Sequence, residues 1–367
     1  MNIGIDGYEA NTDERVGIGQ YAYQVLKYLS KLDNQNNYTV FLPTPALIDM
    51  PVISQHWNYV VGTPASFWTI KQLPALIKTK TLDLFFSPTH YIPWFTQVPR
   101  VFSIMDLSYL HFPRMFATKD YMQLKYMTLY SIKHARKIFT ISEFSKREIT
   151  KHYKFPAEHI SVTYPGINLE FRNQTSGNIT ENLKRYNINK RYILFVGTLQ
   201  PRKNIQRLVE AFNLLREDMQ LVLVGKKGWL FEPILETIEK SPQKDNILVL
   251  DFISDSDLAI LYKHAQCFAL PSLYEGFGIP VIEALYYGCP VVVSNTSSLP
   301  EIAGDGGIYI NPLETEDIAQ GLRKALQLKP AQRRELVKKG QAHIKQFNWE
   351  ECTKKTLEVL NNFDVSG

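Results

Sequence analysis

Two glutamates, Glu275 and Glu283, stand eight positions apart in "LYEGFGIPVIEALYYG", residues 273 to 288, with Gly276, Gly278 and Pro280 between them. A carboxylate accepts paired hydrogen bonds from vicinal hydroxyls, so each glutamate could hold a sugar ring. The intervening residues suit an anion. Proline is tolerated at the first position of a helix, and Val281, Ile282, Ala284 and Leu285 follow Pro280 at helical spacing. The spacing predicts a helix opening at Pro280, with Glu283 in its first turn and Glu275 across the preceding loop. Its unpaired N–H groups would point over Gly276 and Gly278, where missing side chains let a ligand approach the backbone, and a phosphate is the natural occupant. A purely capping role for Glu283 is disfavoured, because the position three residues earlier is Pro280 rather than Ser or Thr.

A second loop, "TLQPRKN", follows the apolar run "YILFVG" and leads into a helix with Ile205, Leu208, Val209, Phe212 and Leu215 on one side. Arg202 and Lys203 thus fall at the positive end of a helix dipole, where each cation is unfavourable by roughly 0.3 to 1 kcal/mol. A bound dianion would reverse the sign; the other reading is a solvated basic turn. A third loop contains Gly17 and Gly19, which with Ala22 match a G-x-G-x-x-A dinucleotide pattern. About ten residues separate it from the preceding strand and no acidic residue ends "YTVFLP", so the expectation is a glycine loop closing over a cleft, or simple turn chemistry. The "DSD" at 255 to 257 resembles a metal-binding Asp-x-Asp, but its place after "NILVLDFIS" fits helix capping by Ser254 or Asp255, and no metal is expected.

These loops need strands to hold them. In the first half the strand candidates are "NIGID", "YTVFL", "DLFFS", "RVFSIMD", "KIFTIS" and "ISVTYP"; in the second they are "YILFVG", "LVLVG", "NILVLDF", "CFALPS", "PVVVSN" and "GGIYINP". Continuous apolar strands alternating with helices read as parallel sheets covered on both faces. The pattern occurs twice, and 367 residues exceed the size at which one core stops growing. The expected division is a first domain over 1–170, a linker over 171–190, a second domain over 191–346, and a C-terminal segment, 347–367, returning to the first domain. Two doubly wound domains bind ligands at the carboxyl ends of their strands.

Composition narrows the partners. Three cysteines, Cys267, Cys289 and Cys352, are too few and scattered for a disulfide framework or zinc site, which fits a reducing compartment. The opening "MNIGID" shows no signal-peptide pattern and no apolar run reaches the roughly 18 residues of a membrane span, so a cytoplasmic protein is expected. The charge is uneven: residues 1 to 170 hold 17 Lys and Arg against 13 Asp and Glu. The stretch "KDYMQLKYMTLYSIKHARKIF", 119 to 139, mixes bases with aromatics and methionines. It could lie on an anionic membrane as a peripheral contact, or pack against the core with a solvated basic face.

Taken together, "GIGQY" at 17 to 21, "FVGTLQPRKNIQRLVEAF" at 195 to 212, "PSLYEGFGIPVIEALYYGCPVVVSNTSSLPEIAGDGG" at 271 to 307 and "FNWEE" at 347 to 351 resemble the retaining nucleotide-sugar glycosyltransferases of family 4, also called group 1. The resemblance implies the GT-B fold of two Rossmann-like α/β domains. It implies Glu283 on the donor ribose, Glu275 on the hydroxyls of the transferred sugar, and Arg202 and Lys203 on the diphosphate. Backbone N–H groups along Gly278 to Val281 would assist, with Ile279 and Pro280 also lining the donor, together with Gly197, Gly17 and Gly19, and with Phe252 and Ile253 near the base. In this family a His-Asp pair follows the fourth strand; here Met105 takes the histidine's place and Asp106 remains as a candidate catalytic residue, with His90 and His111 as candidate substitutes. The implied partners are a nucleotide diphosphate sugar, foremost GDP-mannose with UDP-sugars as the alternative, and a glycan or lipid-linked glycan acceptor, with no nucleic acid and no cofactor. A nucleotide-sugar epimerase, a glycogen-synthase-like polymerase, a non-catalytic sugar-nucleotide-binding protein and, on the first glycine loop alone, an NAD-dependent oxidoreductase are the competing readings.

Overall fold

The computed structural model describes residues 1–15, 17–63, 67–167, 179–251 and 253–364. The chain divides into two compact units, one of Met1–Leu110, Thr118–Gly166 and Phe347–Gly367, the other of His111–Ala117 and Ile167–Gln346. Residues 111–117, expected in the first domain, thus belong with the second unit.

The first unit is built on seven strands: β1 Asn2–Asp6, β2 Asn37–Leu42, β3 Trp57–Val61, β4 Leu84–Ser87, β5 Arg100–Ile104, β6 Lys137–Thr140 and β7 Ile160–Val162. They pair in the order β3-β2-β1-β4-β5-β6-β7, every neighbour parallel. The second unit has β8 Tyr192–Val196, β9 Gln220–Val224, β10 Ile247–Leu250, β11 Cys267–Leu270, β12 Val291–Ser294 and β13 Gly307–Ile310, in the parallel order β10-β9-β8-β11-β12-β13. The central strands β4, β9, β11 and β12 are buried at every residue. Helices cover both faces of such a sheet, which is why these strands read as unbroken apolar runs.

The chain order of each sheet reverses once, between β1 and β4 in the first unit and between β8 and β11 in the second. At such a switch point the loops leaving two adjacent parallel strands diverge and leave a crevice at their carboxyl ends. In the second unit the register Cys267↔Ile193 and Phe268↔Leu194 sets β8 beside β11, so the loops after them, 197–204 and 271–278, emerge side by side.

The C-terminal helix Trp349–Asn361 is capped by Asn348, whose side chain accepts from the Glu351 N–H at 2.8 Å. It buries Trp349, Cys352, Thr353, Thr356 and Leu360, with the Trp349 ring 5.9 Å from that of Tyr21 and Asn361 accepting from Asn36 at 2.7 Å. Gly166, where the chain leaves this unit, lies so close to the returning segment that a Cβ there would meet Trp349 N at 2.3 Å. Of the expected linker, residues 171–178 lie outside the described residues. The helix Ile179–Arg185 belongs to the second unit, where Arg185 and the Tyr186 hydroxyl donate to Asp257 at 3.2 and 2.6 Å.

Candidate active site

The loop after β8 carries Gly197, which takes φ +153, and ends in a single 3-10 turn, Pro201–Lys203. Asn204, at the N-cap of helix Ile205–Asn213, donates through its side-chain amide to the carbonyls of Pro271 and Pro312 at 2.9 and 2.7 Å. The backbone N–H of Leu273 donates to the Arg202 carbonyl at 2.9 Å, and the Arg202 guanidinium donates to the Tyr274 carbonyl. These bonds lock the two switch-point loops together.

They also bring Arg202, Lys203 and Glu275 into one cluster. Lys203 Nζ lies 2.6 Å from Glu275 Oε1 and Arg202 Nη1 lies 3.0 Å from Oε2, with Glu275 and Lys203 both buried. Burial alone would raise the Glu275 carboxyl, but Lys203 and then Arg202 outweigh it and hold the group at about 2. The cations at this helix terminus therefore already face an anion of the protein itself, a partner that neither the bound-dianion nor the solvated-turn reading included. Two cations against one carboxylate still leave the cluster with one positive charge in excess, beside the positive end of a helix.

The helix after β11 runs Ile279–Tyr286, so Pro280 is its second residue and Glu283 lies in its second turn, not its first. Gly278 caps it at φ +119, a conformation open to glycine, and a Cβ there would meet Leu299 Cδ2 at 3.0 Å. The Val281 N–H donates to the Gly278 carbonyl at 2.9 Å and Pro280 has no N–H, so of this stretch the N–H groups of Gly278 and Ile279 are left for an anion. Ser298 fixes the loop by donating to the carbonyls of Glu275 and Phe277 at 2.9 and 2.7 Å.

Glu283 is not part of the Arg202–Lys203–Glu275 cluster. Its Oε2 accepts from the Tyr262 hydroxyl at 2.9 Å, and burial pushes its pKa up to about 7 against the opposing pull of that bond. Tyr262 belongs to helix Asp255–His264, whose N-cap is Ser254, accepting from the Asp257 N–H at 3.2 Å, in line with the capping reading of "DSD". Ile253 is buried just before that cap, and Phe252 lies outside the described residues.

In the first unit Gly17 is the N-cap of helix Ile18–Leu32 at φ +51, in open space, whereas a Cβ on Gly19 would meet the Glu9 carbonyl at 2.9 Å. Asp106 accepts from the Ser108 N–H at 2.8 Å. His90 Nε2 accepts the Met105 N–H at 2.9 Å, so this ring is spent on the backbone of the residue it was expected to replace, and burial lowers its pKa against the pull of Asp106. His111 lies in the second unit, its ring 5.1 Å from that of Tyr274, next to Glu275. Sequence reasoning missed Tyr262, Asn204 and Ser298; the apolar spacing of "LAILYKHA" marks Tyr262 as inward-facing but says nothing of its partner.

Two Rossmann-like units of parallel sheet in one chain are the GT-B fold. Residues 178–362 match the family described as "Glycosyl transferases group 1", and residues 16–171 that described as "Glycosyltransferase Family 4". The chain belongs to the group 1 glycosyltransferases. It is 33% identical over 365 residues to "O-antigen chain mannosyltransferase B" of Escherichia coli, covering 94% of this chain and 95% of that protein. A second relative, "O-antigen chain mannosyltransferase RfbU" of Salmonella typhimurium, is 27% identical over 266 residues, 72% of this chain and 70% of that one. Among solved structures, the sucrose-phosphate synthase of Thermosynechococcus elongatus superposes with TM-score 0.77 at 18% identity over 98% of both chains. WaaG, a glycosyltransferase of lipopolysaccharide biosynthesis, does so at 0.74 and 16%, over 98% of this chain and 100% of that one. At these identities the structural matches speak for the fold.

Proposed function

We propose that this enzyme transfers mannose, with retention of configuration, from GDP-mannose to a glycan or lipid-linked glycan acceptor in the synthesis of a surface polysaccharide. The reading of donor and pathway draws on the printed names of the two mannosyltransferase relatives. What carries the chemistry is the cluster of Arg202, Lys203 and Glu275 beside the N–H groups of Gly278 and Ile279. A nucleoside diphosphate leaving group gains negative charge as the glycosidic bond breaks. Donors already fixed around that position stabilise the transition state more than the ground state, an effect worth about 3 to 4 kcal/mol per well-placed donor. Glu275 spends one hydrogen bond per oxygen on the two cations, leaving lone pairs for the hydroxyls of the transferred sugar. Glu283 takes the ribose and Ile253 borders the base; no metal or cofactor is assigned.

The helix Thr118–His134 supports a peripheral membrane contact. Its buried residues are Thr128, Ser131 and Ile132, while Met122 and Tyr126 are exposed among Lys119, Lys125 and Lys133. Among the described residues no helix is long and apolar enough to cross a membrane. Flotation with vesicles containing anionic lipid tests this contact: the protein should float with them at low salt and stay behind with neutral vesicles.

The test of the main reading is turnover of GDP-mannose against UDP- and ADP-sugars, with Arg202→Ala and Lys203→Ala beside the wild type. Each variant should lose about 100-fold in kcat. Near-normal rates in both rule the assignment out.

A further inference from the structure

Glu283 takes its side-chain hydrogen bond from one residue, the buried Tyr262. Tyr262 is 1% exposed, and its ring is stacked 6.0 Å from Tyr287 at 10° and set 5.7 Å from Phe268, so the side chain cannot swing. A buried phenol must place its O–H on an acceptor, and this one ends on Glu283 Oε2 at 2.9 Å. The other oxygen, Oε1, receives no hydrogen bond from the described residues. We infer that Tyr262 is a positioning residue for the reaction: by holding Oε2 from within the core it fixes the rotation of the Glu283 carboxylate and presents Oε1 to the paired hydroxyls of a donor pentose. This rests on the reading of Glu283 as the ribose ligand.

The arrangement does a second thing. Three influences act on this carboxyl: burial and Asp255, from the same helix as Tyr262, favour its neutral form, and the Tyr262 hydroxyl favours the ionised one. Tyr262 itself stays protonated, its pKa raised by burial and then by Glu283, with smaller contributions from Cys289 and Tyr287. It is therefore a donor at neutral pH. Without it the carboxylate would both rotate and take up a proton more readily, and a protonated carboxyl offers the ribose one acceptor fewer.

Tyr262→Phe removes the hydroxyl and keeps the ring packing. Calorimetric titration with GDP, and with UDP in parallel, should show affinity falling about tenfold at neutral pH, the loss of a hydrogen bond to a charged group. Its pH midpoint should move to higher pH, which a packing defect would not cause. In a Glu283→Gln background the same change should cost less than twofold, because the residue through which Tyr262 acts is gone. Unchanged affinity in Tyr262→Phe while Glu283→Gln weakens binding overturns this inference alone; the same tenfold loss in both backgrounds does so too. Unchanged affinity in Glu283→Gln overturns the ribose reading and takes the inference with it.

Discussion

Replacing Glu275 by Gln should unmask how much of the second unit's stability comes from the ion cluster between its switch-point loops. The carboxyl is held at about 2, against 4.5 for an ordinary glutamate, and its side chain is buried. Each pKa unit corresponds to 1.36 kcal/mol, so the difference amounts to about 3 kcal/mol of folding stability at neutral pH. Removing one partner of a buried ion pair costs about 3 to 5 kcal/mol by a separate route, through the charges left without a counter-ion. The two figures agree in size. The sign follows from the depressed pKa: the contribution is complete above pH 4.5 and disappears as pH falls toward 2, where the native carboxyl takes up its proton. The assay is native-state hydrogen exchange of the β8 and β11 amides, which reports on this unit without assuming that both units unfold together. Glu275→Gln should speed their slowest exchange by about 100-fold at pH 7. A change below threefold at pH 7 would refute the claim that the cluster holds the loops.

Gly278→Ala forces a side chain into φ +119 with its Cβ 3.0 Å from Leu299, and should cost about 1 to 3 kcal/mol by urea denaturation together with measurable loss of GDP affinity. Ser254→Ala removes the N-cap of helix Asp255–His264 and should lower stability by about 1 kcal/mol while turnover stays within twofold of wild type. Because the Glu283 carboxyl is raised to about 7, the folded state holds its proton more tightly than the unfolded one. Stability should therefore decline as pH rises from 4.5 through 7, and Glu283→Gln should flatten that part of a melting-temperature profile.

The parallel sheets were legible because their buried strands are apolar at nearly every position, with Ser87, Gln220 and Ser294 only at strand ends, a signal that needs no partner to read. The strand the sequence hid is β3, Trp57–Val61, where only Trp57 is buried and Asn58 interrupts the run, as befits an edge. At the site, the loops and their charged residues could be read from glycine, proline and helix-start chemistry. Their pairing could not: Arg202 and Glu275 are 73 positions apart, and only the β8–β11 register makes them neighbours. The helix start was misjudged by one residue because Gly278 takes the cap itself, which makes Glu283 the fifth residue of the helix where the fourth was expected. His90 was offered as a stand-in for Met105 on sequence proximity alone, and its ring proved to be bonded to that residue's backbone.

The central claim, that the second unit grips a nucleoside diphosphate at its switch point, is tested most directly by a crystal structure with GDP or GDP-mannose bound. The account predicts phosphate oxygens within hydrogen-bond distance of Lys203 Nζ, the Arg202 guanidinium and the N–H groups of Gly278 and Ile279. A donor bound elsewhere, with no phosphate oxygen in reach of Arg202 or Lys203, would contradict it.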